Sequence, residues 1–223
     1  MRTLAIGDVH GCLNALERLV ECISLNSDDQ LVFLGDYVDR GVDSKGVIDW
    51  LIQLQAHDKI LSLRGNHDVM MMASRTDPTM FSNWLGYGGA ETLESYGIAC
   101  SEDWVSKVPE DHWQFLENTR LSYETSSRLF THGGLNPDQP LAEQSEDVLC
   151  WMKLDQVKPH FSGKPLICGH TAQKSGEVFQ GEGVICIDTW SVGKWLTCLD
   201  VDSGEYWQAS ELAVETRTGR IEF

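Results

Sequence analysis

The sequence predicts an α/β domain in which two β-sheets are stacked against each other. Three observations lead to this prediction: short apolar runs alternate with amphipathic stretches through the first third, strand-like runs return after residue 128, and no linker separates the two parts. A chain of 223 residues, 42% of them hydrophobic, is long enough to bury one sizeable core. We therefore expect one domain over residues 1–223.

The first third of the chain predicts the order β-α-β-α-β. Apolar runs at 3–6, 31–34 and 60–63 predict strands, and apolar residues at helical spacing predict helices at 13–25 and 45–55. Successive strands are separated by roughly 30 residues, the length of one strand and crossover helix. The three strands are therefore expected to be parallel, with their carboxyl ends at the sheet edge where α/β proteins bind ligands.

The remainder of the chain predicts a helical middle and a second set of strands. Residues 70–125 show no strand alternation and predict mostly helix, with a glycine-marked turn at 87–89. Strands are predicted at 128–131, 165–168, 183–188 and 195–201. Because these strands resume without a linker, they are expected to complete a second sheet of the same domain.

Charge and cysteine content exclude several classes of protein. The formal net charge of −17 disfavours nucleic acid or an anionic membrane as a partner, since phosphate groups would be repelled at long range. Seven cysteines without a C-x-x-C pair indicate neither a disulfide framework nor a cysteine zinc site. With no apolar run of about 18 residues, we expect a cytoplasmic protein that does not span a membrane. The sequence carries no indication of oligomeric state.

The stretch LVFLGDYVDRG (31–41) places two carboxylates directly after a predicted buried strand. Charges at such a position cost free energy unless they are compensated. A bound cation would compensate Asp36 and Asp39.

Four other short segments carry similar chemistry: GDVHG (7–11), RGNHD (64–68), THGGL (131–135) and CGHT (168–171). Together with GDYVDRG (35–41) they supply carboxylate, amide and imidazole ligands of the kind that suit manganese, iron or zinc. The candidate ligands are Asp8, His10, Asp36, Asn66, His132 and His170. Six ligands are too many for one catalytic ion and suit two ions that share a carboxylate.

These five segments, in this order, resemble the phosphoprotein phosphatase (PPP) family of metallophosphoesterases, in particular its small phage and bacterial serine/threonine phosphatase branch. The segment 81–97 is also similar to that branch. The resemblance implies a calcineurin-like metallophosphoesterase fold, in which two mixed β-sheets are sandwiched and flanked by helices in four layers, αββα.

The resemblance also implies a role for each residue. Asp8 and His10 would bind a first divalent ion, Asp36 would bridge both ions, and Asn66, His132 and His170 would complete the second site. The ions are expected to be manganese, with iron, zinc or a similar metal as alternatives. Water on such ions can lose a proton near neutral pH and attack phosphorus in line.

The same resemblance implies a proton donor and a set of phosphate-binding residues. Asp39 would orient His67, which would protonate the leaving alkoxide. Arg40, Asn66 and Lys153 would contact the phosphoryl oxygens, with Lys153 at the place of a second arginine of the family. An ordinary solvated lysine is the alternative interpretation of Lys153.

The leading functional hypothesis is a metal-dependent phosphatase for phosphoserine and phosphothreonine in proteins or peptides, with phosphotyrosine as a further candidate. The alternative is a symmetrical dinucleoside tetraphosphate hydrolase, which shares the fold and ligands but commonly lacks an acid at the position of Asp39. A remote alternative is a non-catalytic phosphoprotein-binding module.

Several aromatic and histidine residues have a less specific interpretation. Trp84 and Trp190 are interpreted as packing or wall residues, with a substrate platform as the alternative. Three histidines lie outside the motifs and are interpreted as surface or hydrogen-bonded polar residues: His57, His112 and His160.

Overall fold

The computed structural model describes residues 2–55, 60–99 and 103–222. The helices are α1 (Leu13–Ile23), α2 (Ser44–Gln55), α3 (Asn66–Ala73), α4 (Pro78–Trp84), α5 (Ala90–Ser95), α6 (Glu110–Glu117) and α7 (Glu146–Trp151). A π-helical turn, Leu85–Gly89, joins α4 to α5, and 3₁₀ turns cover Trp104–Lys107, Leu141–Glu143 and Leu154–Gln156. The strands are β1 (Thr3–Ile6), β2 (Gln30–Phe33), β3 (Ile60–Ser62), β4 (Ser122–Glu124), β5 (Leu129–Thr131), β6 (Leu166–Cys168), β7 (Phe179–Gly181), β8 (Val184–Cys186), β9 (Leu196–Asp200), β10 (Glu205–Ala209) and β11 (Thr216–Arg220).

The strands form two mixed sheets. The first has the order β11-β10-β9-β1-β2-β3 and the second has the order β4-β5-β6-β8-β7. Strands β1, β2 and β3 are parallel, as are β5, β6 and β8. The remaining pairs are antiparallel. In the second sheet the parallel strands form the centre and antiparallel strands flank them, whereas in the first sheet β1, β2 and β3 form one side and the antiparallel strands β9, β10 and β11 form the other.

The alternation of side chains along β1 explains how the layers stack. Leu4 and Ile6 belong to the apolar core between the first sheet and the helices, whereas Ala5 belongs to the core between the two sheets. This is the period of two expected when both faces of a strand are buried. The outer face of the second sheet packs through Leu166 and Cys168 against Leu149 of α7. The predicted four-layer arrangement of two mixed sheets flanked by helices is confirmed.

The predicted elements of the first third are confirmed with small shifts of their ends. Helix α1 ends at Ile23 instead of residue 25 because Ser24 adopts a left-handed conformation, with φ 51°. Strand β9, expected in the second sheet, instead pairs antiparallel with β1 in the first sheet. Strands β4, β7, β10 and β11 were not predicted, and β4 lies in the stretch predicted to be mostly helical. Much of their surface is exposed, so they lack the apolar runs that indicate a strand.

Two observations bear on the cysteine and membrane predictions. The cysteines within the described ranges are all free thiols: Cys12, Cys22, Cys150, Cys168, Cys186 and Cys198. Among those same ranges, no helix combines the length and the apolar character needed to cross a bilayer.

Candidate metal centre

The carboxyl ends of the parallel strands of both sheets carry the predicted ligands. The first sheet contributes the loops after β1, β2 and β3, and the second contributes the loops after β5 and β6. Asp8, His10, Asp36, Asn66 and His132 are buried there, and His170 is half-buried. Two groups, each with ligand atoms within 4.8 Å of one another, could hold a metal ion: His10, Asp36 and His67, and Asp8, Asp36 and His132.

Asp36 lies between the histidines of the two sheets. Its Oδ2 is 3.4 Å from Nε2 of His10 and 3.4 Å from Nε2 of His132. A hydrogen bond from the other ring nitrogen fixes each imidazole. Nδ1 of His10 donates to the Val38 carbonyl at 2.8 Å, and Nδ1 of His132 donates to the Leu34 carbonyl at 3.0 Å. Each Nε2 therefore presents its lone pair toward the carboxylate, as a pair of ligands around shared ions requires.

Asn66 and Asp8 complete the cluster. Oδ1 of Asn66 lies 3.0 Å from Nε2 of His132 and 2.8 Å from Nδ1 of His170. The backbone N–H of His170 donates to Oδ2 of Asp8 at 3.0 Å. A side chain at Gly169 would collide with Oδ1 of Asp8, so glycine is required for this approach. All six predicted ligands are brought together.

The protonation chemistry of these groups fits a divalent cation. Burial lowers the pKa of His10 to about 3 and that of His132 to about 4, so both imidazoles are neutral and able to ligate. Burial and the neighbouring Asp188 raise the pKa of Asp8 well above its ordinary value. Clustered buried carboxylates of this kind are stabilised by a positive charge between them.

Asp188 is a member of the cluster that the sequence analysis did not select. It follows β8 and is buried, and its Oδ2 has no hydrogen-bond partner among the described residues. Burial raises its pKa to about 6. The sequence signal resembled that for Asp36: an acid at the carboxyl end of a predicted strand, here the last residue of GVICID (183–188). An unpartnered buried carboxylate oxygen also favours a nearby cation.

The predicted pair of Asp39 and His67 is hydrogen-bonded. Nδ1 of His67 lies 2.7 Å from Oδ2 of Asp39. Although burial disfavours a charged ring, Asp36 and Asp39 raise the pKa of His67 above its ordinary value. Asp39 is itself held by the indole N–H of Trp84, at 2.9 Å from Oδ1, and by the hydroxyl of Thr92, at 2.8 Å.

Trp84 therefore combines packing with a polar function. The side chain is fully buried, which agrees with the packing interpretation and leaves no surface for a substrate platform. Its hydrogen bond to Asp39 could not be predicted from the sequence, because nothing in the pattern of α4 distinguishes an indole that packs from one that also donates.

Asp68, which ends the RGNHD segment, holds the Asp36 loop in place. Its carboxylate accepts hydrogen bonds from the backbone N–H groups of Asp36, Tyr37 and Gly65 at 2.8–3.0 Å. This arrangement supports the left-handed backbone of Asp36, whose φ is 52°. The sequence analysis included Asp68 in a motif and gave it no role.

Arg40 occupies the mouth of the site. Its Nη1 donates to Nε2 of His10 and its Nη2 donates to Nε2 of His67, both at 2.7 Å. The guanidinium thus lies where a cation is expected, and His10 can act as a ligand only after Arg40 has moved away. The residue is exposed, so solvent leaves room for that movement.

Lys153 and the three histidines outside the motifs are the remaining candidates from the sequence. Lys153 is exposed and close enough to His170 to lower the pKa of that ring, though less than burial does. His112 is buried and bonded to Asp49 and Tyr96, and His160 is bonded to Ser162 and the Gln139 carbonyl, so both agree with a satisfied polar residue. His57 lies outside the described residues.

Comparison with known proteins gives a consistent family. The sequence profile of the calcineurin-like phosphoesterases matches residues 1–186. A symmetrical bis(5'-nucleosyl)-tetraphosphatase of Legionella pneumophila strain Lens is 31% identical, with 61% of this chain and 46% of the relative covered. One from Shewanella baltica strain OS223 is 36% identical, with 67% and 52% covered. Serine/threonine-protein phosphatase 1 of Salmonella typhimurium strain LT2 is 32% identical, with 60% and 58% covered. The chain spans about half the length of these curated relatives.

Solved structures show the same fold at low sequence identity. A cold-active protein-tyrosine phosphatase of a psychrophilic Shewanella species aligns with a TM-score of 0.67 and 18% identity, covering 97% of this chain and 80% of that one. A protein serine/threonine phosphatase of Saccharomyces cerevisiae aligns with a TM-score of 0.60 and 17% identity, covering 100% and 80%.

Proposed function

This chain belongs to the calcineurin-like phosphoesterase family, and we propose from that premise that it hydrolyses phosphomonoesters of serine and threonine in peptides or proteins. The observation that carries the proposal is the hydrogen bond of 2.7 Å between His67 and Asp39. A serine or threonine alkoxide is a poor leaving group, so its departure needs a positioned acid. A nucleoside diphosphate leaves more readily and depends less on such an acid.

Two divalent cations, of which manganese is the first candidate, would be held by the six predicted ligands, would activate water for attack on phosphorus and would offset phosphoryl charge. The residues of the chain perform the other tasks. Asp36, presented to both sheets, would be the shared ligand. Nδ1 of His132 donates to the Leu34 carbonyl, so Nε2 has no proton to give Oδ1 of Asn66, and these two atoms would be fellow ligands of an ion. The amide N–H groups of Asn66 remain available to a phosphoryl oxygen.

Arg40 would change partners when substrate arrives. A phosphoryl group accepts bidentate hydrogen bonds from a guanidinium, and these are stronger than the bonds to neutral imidazoles. We therefore expect Arg40, which metal binding has already displaced from His10, to leave His67 for the phosphate. This exchange frees Nε2 of His67, which can then carry the proton to the leaving oxygen while Nδ1 stays bonded to Asp39. Lys153 would add a point charge at the same side as His170.

A second candidate function is symmetrical hydrolysis of dinucleoside tetraphosphates. It is favoured by the names of the relatives from Legionella and Shewanella, which are both tetraphosphatases. The fold and the ligand set suit either reaction, because both cleave a phosphorus–oxygen bond at a metal centre.

The experiment that tests the proposal compares substrates on manganese-loaded protein. Phosphate release from phosphoserine, phosphothreonine and phosphotyrosine peptides is measured beside ADP formation from diadenosine tetraphosphate. We expect the highest kcat/KM with a phosphoserine or phosphothreonine peptide. A higher kcat/KM with the dinucleotide would replace the proposal with the second candidate, and no turnover of any phosphoester would leave a binding module.

A further inference from the structure

Backbone conformation singles out one residue that the proposed mechanism does not use. Among the described residues, seven that are not glycine have positive φ. Five are site residues, Ser24 ends α1, and the seventh is Trp190, with φ 63°. The five site residues are His10, Asp36, Asp39, Arg40 and His170. A bulky side chain is strained in this region, where glycine is not, and such strain concentrates at functional sites.

Trp190 lies beside the metal centre. Its backbone N–H donates to Oδ1 of Asp188 at 3.0 Å, and Asp188 is the buried acid next to Asp8. The Asp188 carbonyl accepts from the N–H of Gln173 at 2.7 Å, which draws the loop after His170 alongside. The backbone of Trp190 and the loop after His170 are therefore both hydrogen-bonded to Asp188, the acid next to Asp8.

The indole is held in position without being buried in a core. A Cβ at Gly193 would lie 2.6 Å from the indole carbons, so the Gly193 backbone passes directly against the ring. Nζ of Lys174 lies over the ring, 5.8 Å from its centroid. The side chain remains partly exposed. Because the ring is fixed and only half-buried, it keeps exposed carbon surface that a flat group can reach.

Lys174 adds a positive charge at the same place. It is exposed and forms no ion pair with a carboxylate among the described residues. The chain has 34 acidic and only 17 basic residues, so an unpaired lysine beside this site is available to an anionic ligand.

We propose that Trp190 and Lys174 form a subsite for a planar aromatic group attached to the phosphate that occupies the metal centre, with Lys174 contacting a further negative charge of the ligand. The inference rests on the proposed function in one respect: the phosphate is bound at the metal centre. The aromatic group has two possible sources, the phenol ring of an aryl phosphate or the base of a nucleotide. Their shared property is a flat π-face that stacks on an indole.

The test measures binding, so it does not depend on turnover. Isothermal titration calorimetry on manganese-loaded protein compares two pairs of non-hydrolysable ligands: phenylphosphonate with methylphosphonate, and the phosphonate analogue of AMP with that of ribose 5-phosphate. We expect the aromatic member of at least one pair to bind about five- to tenfold more tightly. Trp190→Gly should reduce that ratio toward one, and Trp190→Phe should retain most of it. The pair that responds identifies the source of the ring.

Trp190→Gly is suited to this test because glycine adopts a φ of 63° without strain, so the variant is expected to fold; its thermal midpoint checks this. An absence of aromatic preference in the unaltered protein would overturn the inference. So would a preference that Trp190→Gly leaves intact. Phosphonates are not hydrolysed, so this test measures affinity and not turnover. A negative result here is therefore independent of a negative result in the substrate comparison that tests the proposed function.

The charge of Lys174 is tested with the phosphonate analogues of ADP and AMP, which are not hydrolysed and are called ADP and AMP in this comparison. Lys174→Gln should lower the affinity for ADP relative to AMP by about two- to fivefold. Lys158→Gln is the matched control, because Lys158 is also an exposed lysine and lies outside the site. An unchanged ratio in Lys174→Gln, or an equal change in the control, would overturn the role of the lysine.

Discussion

Asp36 shows how one side chain can serve both halves of the site. Its carboxylate faces a histidine from each sheet at equal distance, and although burial opposes ionisation, His132, His67 and His10 lower its pKa. The carboxylate therefore stays charged in the interior and is able to bridge two cations.

Asp36→Asn should release metal and abolish turnover together. Loss of a group that only orients a ligand typically reduces metal affinity about 10- to 100-fold, so loss of the shared ligand should reduce it further. Metal content by atomic emission and phosphate release would be measured on the same sample. The control is Asp138→Asn, the same substitution at an exposed position. An Asp36→Asn protein with full metal content would contradict the bridging role.

His67→Asn should leave metal bound and reduce turnover of alkyl phosphates by about 10²–10⁴. The reason is that His67 contacts Asp39 and would act on the leaving oxygen, whereas the predicted ligands remain in place. The loss should be smallest for nitrophenyl phosphate, whose leaving group needs little protonation. Rates for both substrates, with metal content determined in parallel, check this. Equal losses for the two substrates would argue against a proton donor.

At the scale of elements, the site depends on loops whose backbones are held by buried hydrogen bonds. Asp68, the third residue of α3, fixes the loop after β2, while Trp84 of α4 and Thr92 of α5 fix Asp39. A left-handed backbone conformation costs free energy at residues other than glycine. It persists in these loops because the hydrogen bonds from the surrounding helices hold the backbone in place.

Helix α1 is capped by a distant part of the chain. Its N-cap, Cys12, makes no side-chain cap, and Glu211, after β10, instead accepts from the N–H of Ala15 at 2.8 Å and from Asn14 at 2.7 Å. A carboxylate at a helix N-terminus also interacts favourably with the helix dipole.

Glu211→Ala should therefore destabilise the fold by about 0.5–2 kcal/mol, the usual effect of removing an N-cap acceptor. Urea unfolding followed by circular dichroism would measure the free energy of unfolding. Glu215→Ala, at an exposed position of the same loop, is the matched control and should change it little. Equal effects of the two substitutions would exclude the cap as the cause.

At the scale of the whole molecule, the net charge of −17 acts on every anionic substrate. Repulsion at long range slows the approach of acidic phosphopeptides, and salt screens it. Between about 0.05 and 0.3 M salt, kcat/KM should rise for a phosphopeptide with acidic flanks and fall for one with basic flanks. Initial rates at low substrate concentration measure both. The same salt response for the two peptides would show that global charge does not control association.

Much of this architecture follows from sequence patterns, and the exceptions have physical causes. Parallel strands ending in acids or histidines place Asp8, Asp36 and His132 together, because strand polarity alone sets which edge the loops share. The roles of Trp84 and Asp188 were missed since they depend on contacts between segments far apart in the chain, which no local periodicity encodes. Exposed strands such as β11 were missed because they bury too little apolar surface to show a pattern.

The ligand set is drawn from two separate sheets, and this has a mechanical consequence. Asp8, His10, Asp36 and Asn66 come from loops of the first sheet, and His132 and His170 come from loops of the second. Ions coordinated by both sets of loops would link the two sheets, and they could bind only when the sheets are packed together. Metal present at 100 times its dissociation constant stabilises the folded state by about 2.7 kcal/mol. Removing the metal with a chelator should therefore lower the melting temperature by about 5–10 °C. Calorimetry before and after chelation, and again after manganese is added back, measures the melting temperature. An unchanged melting temperature in the metal-free protein would show that the packing of the two sheets does not depend on the ions.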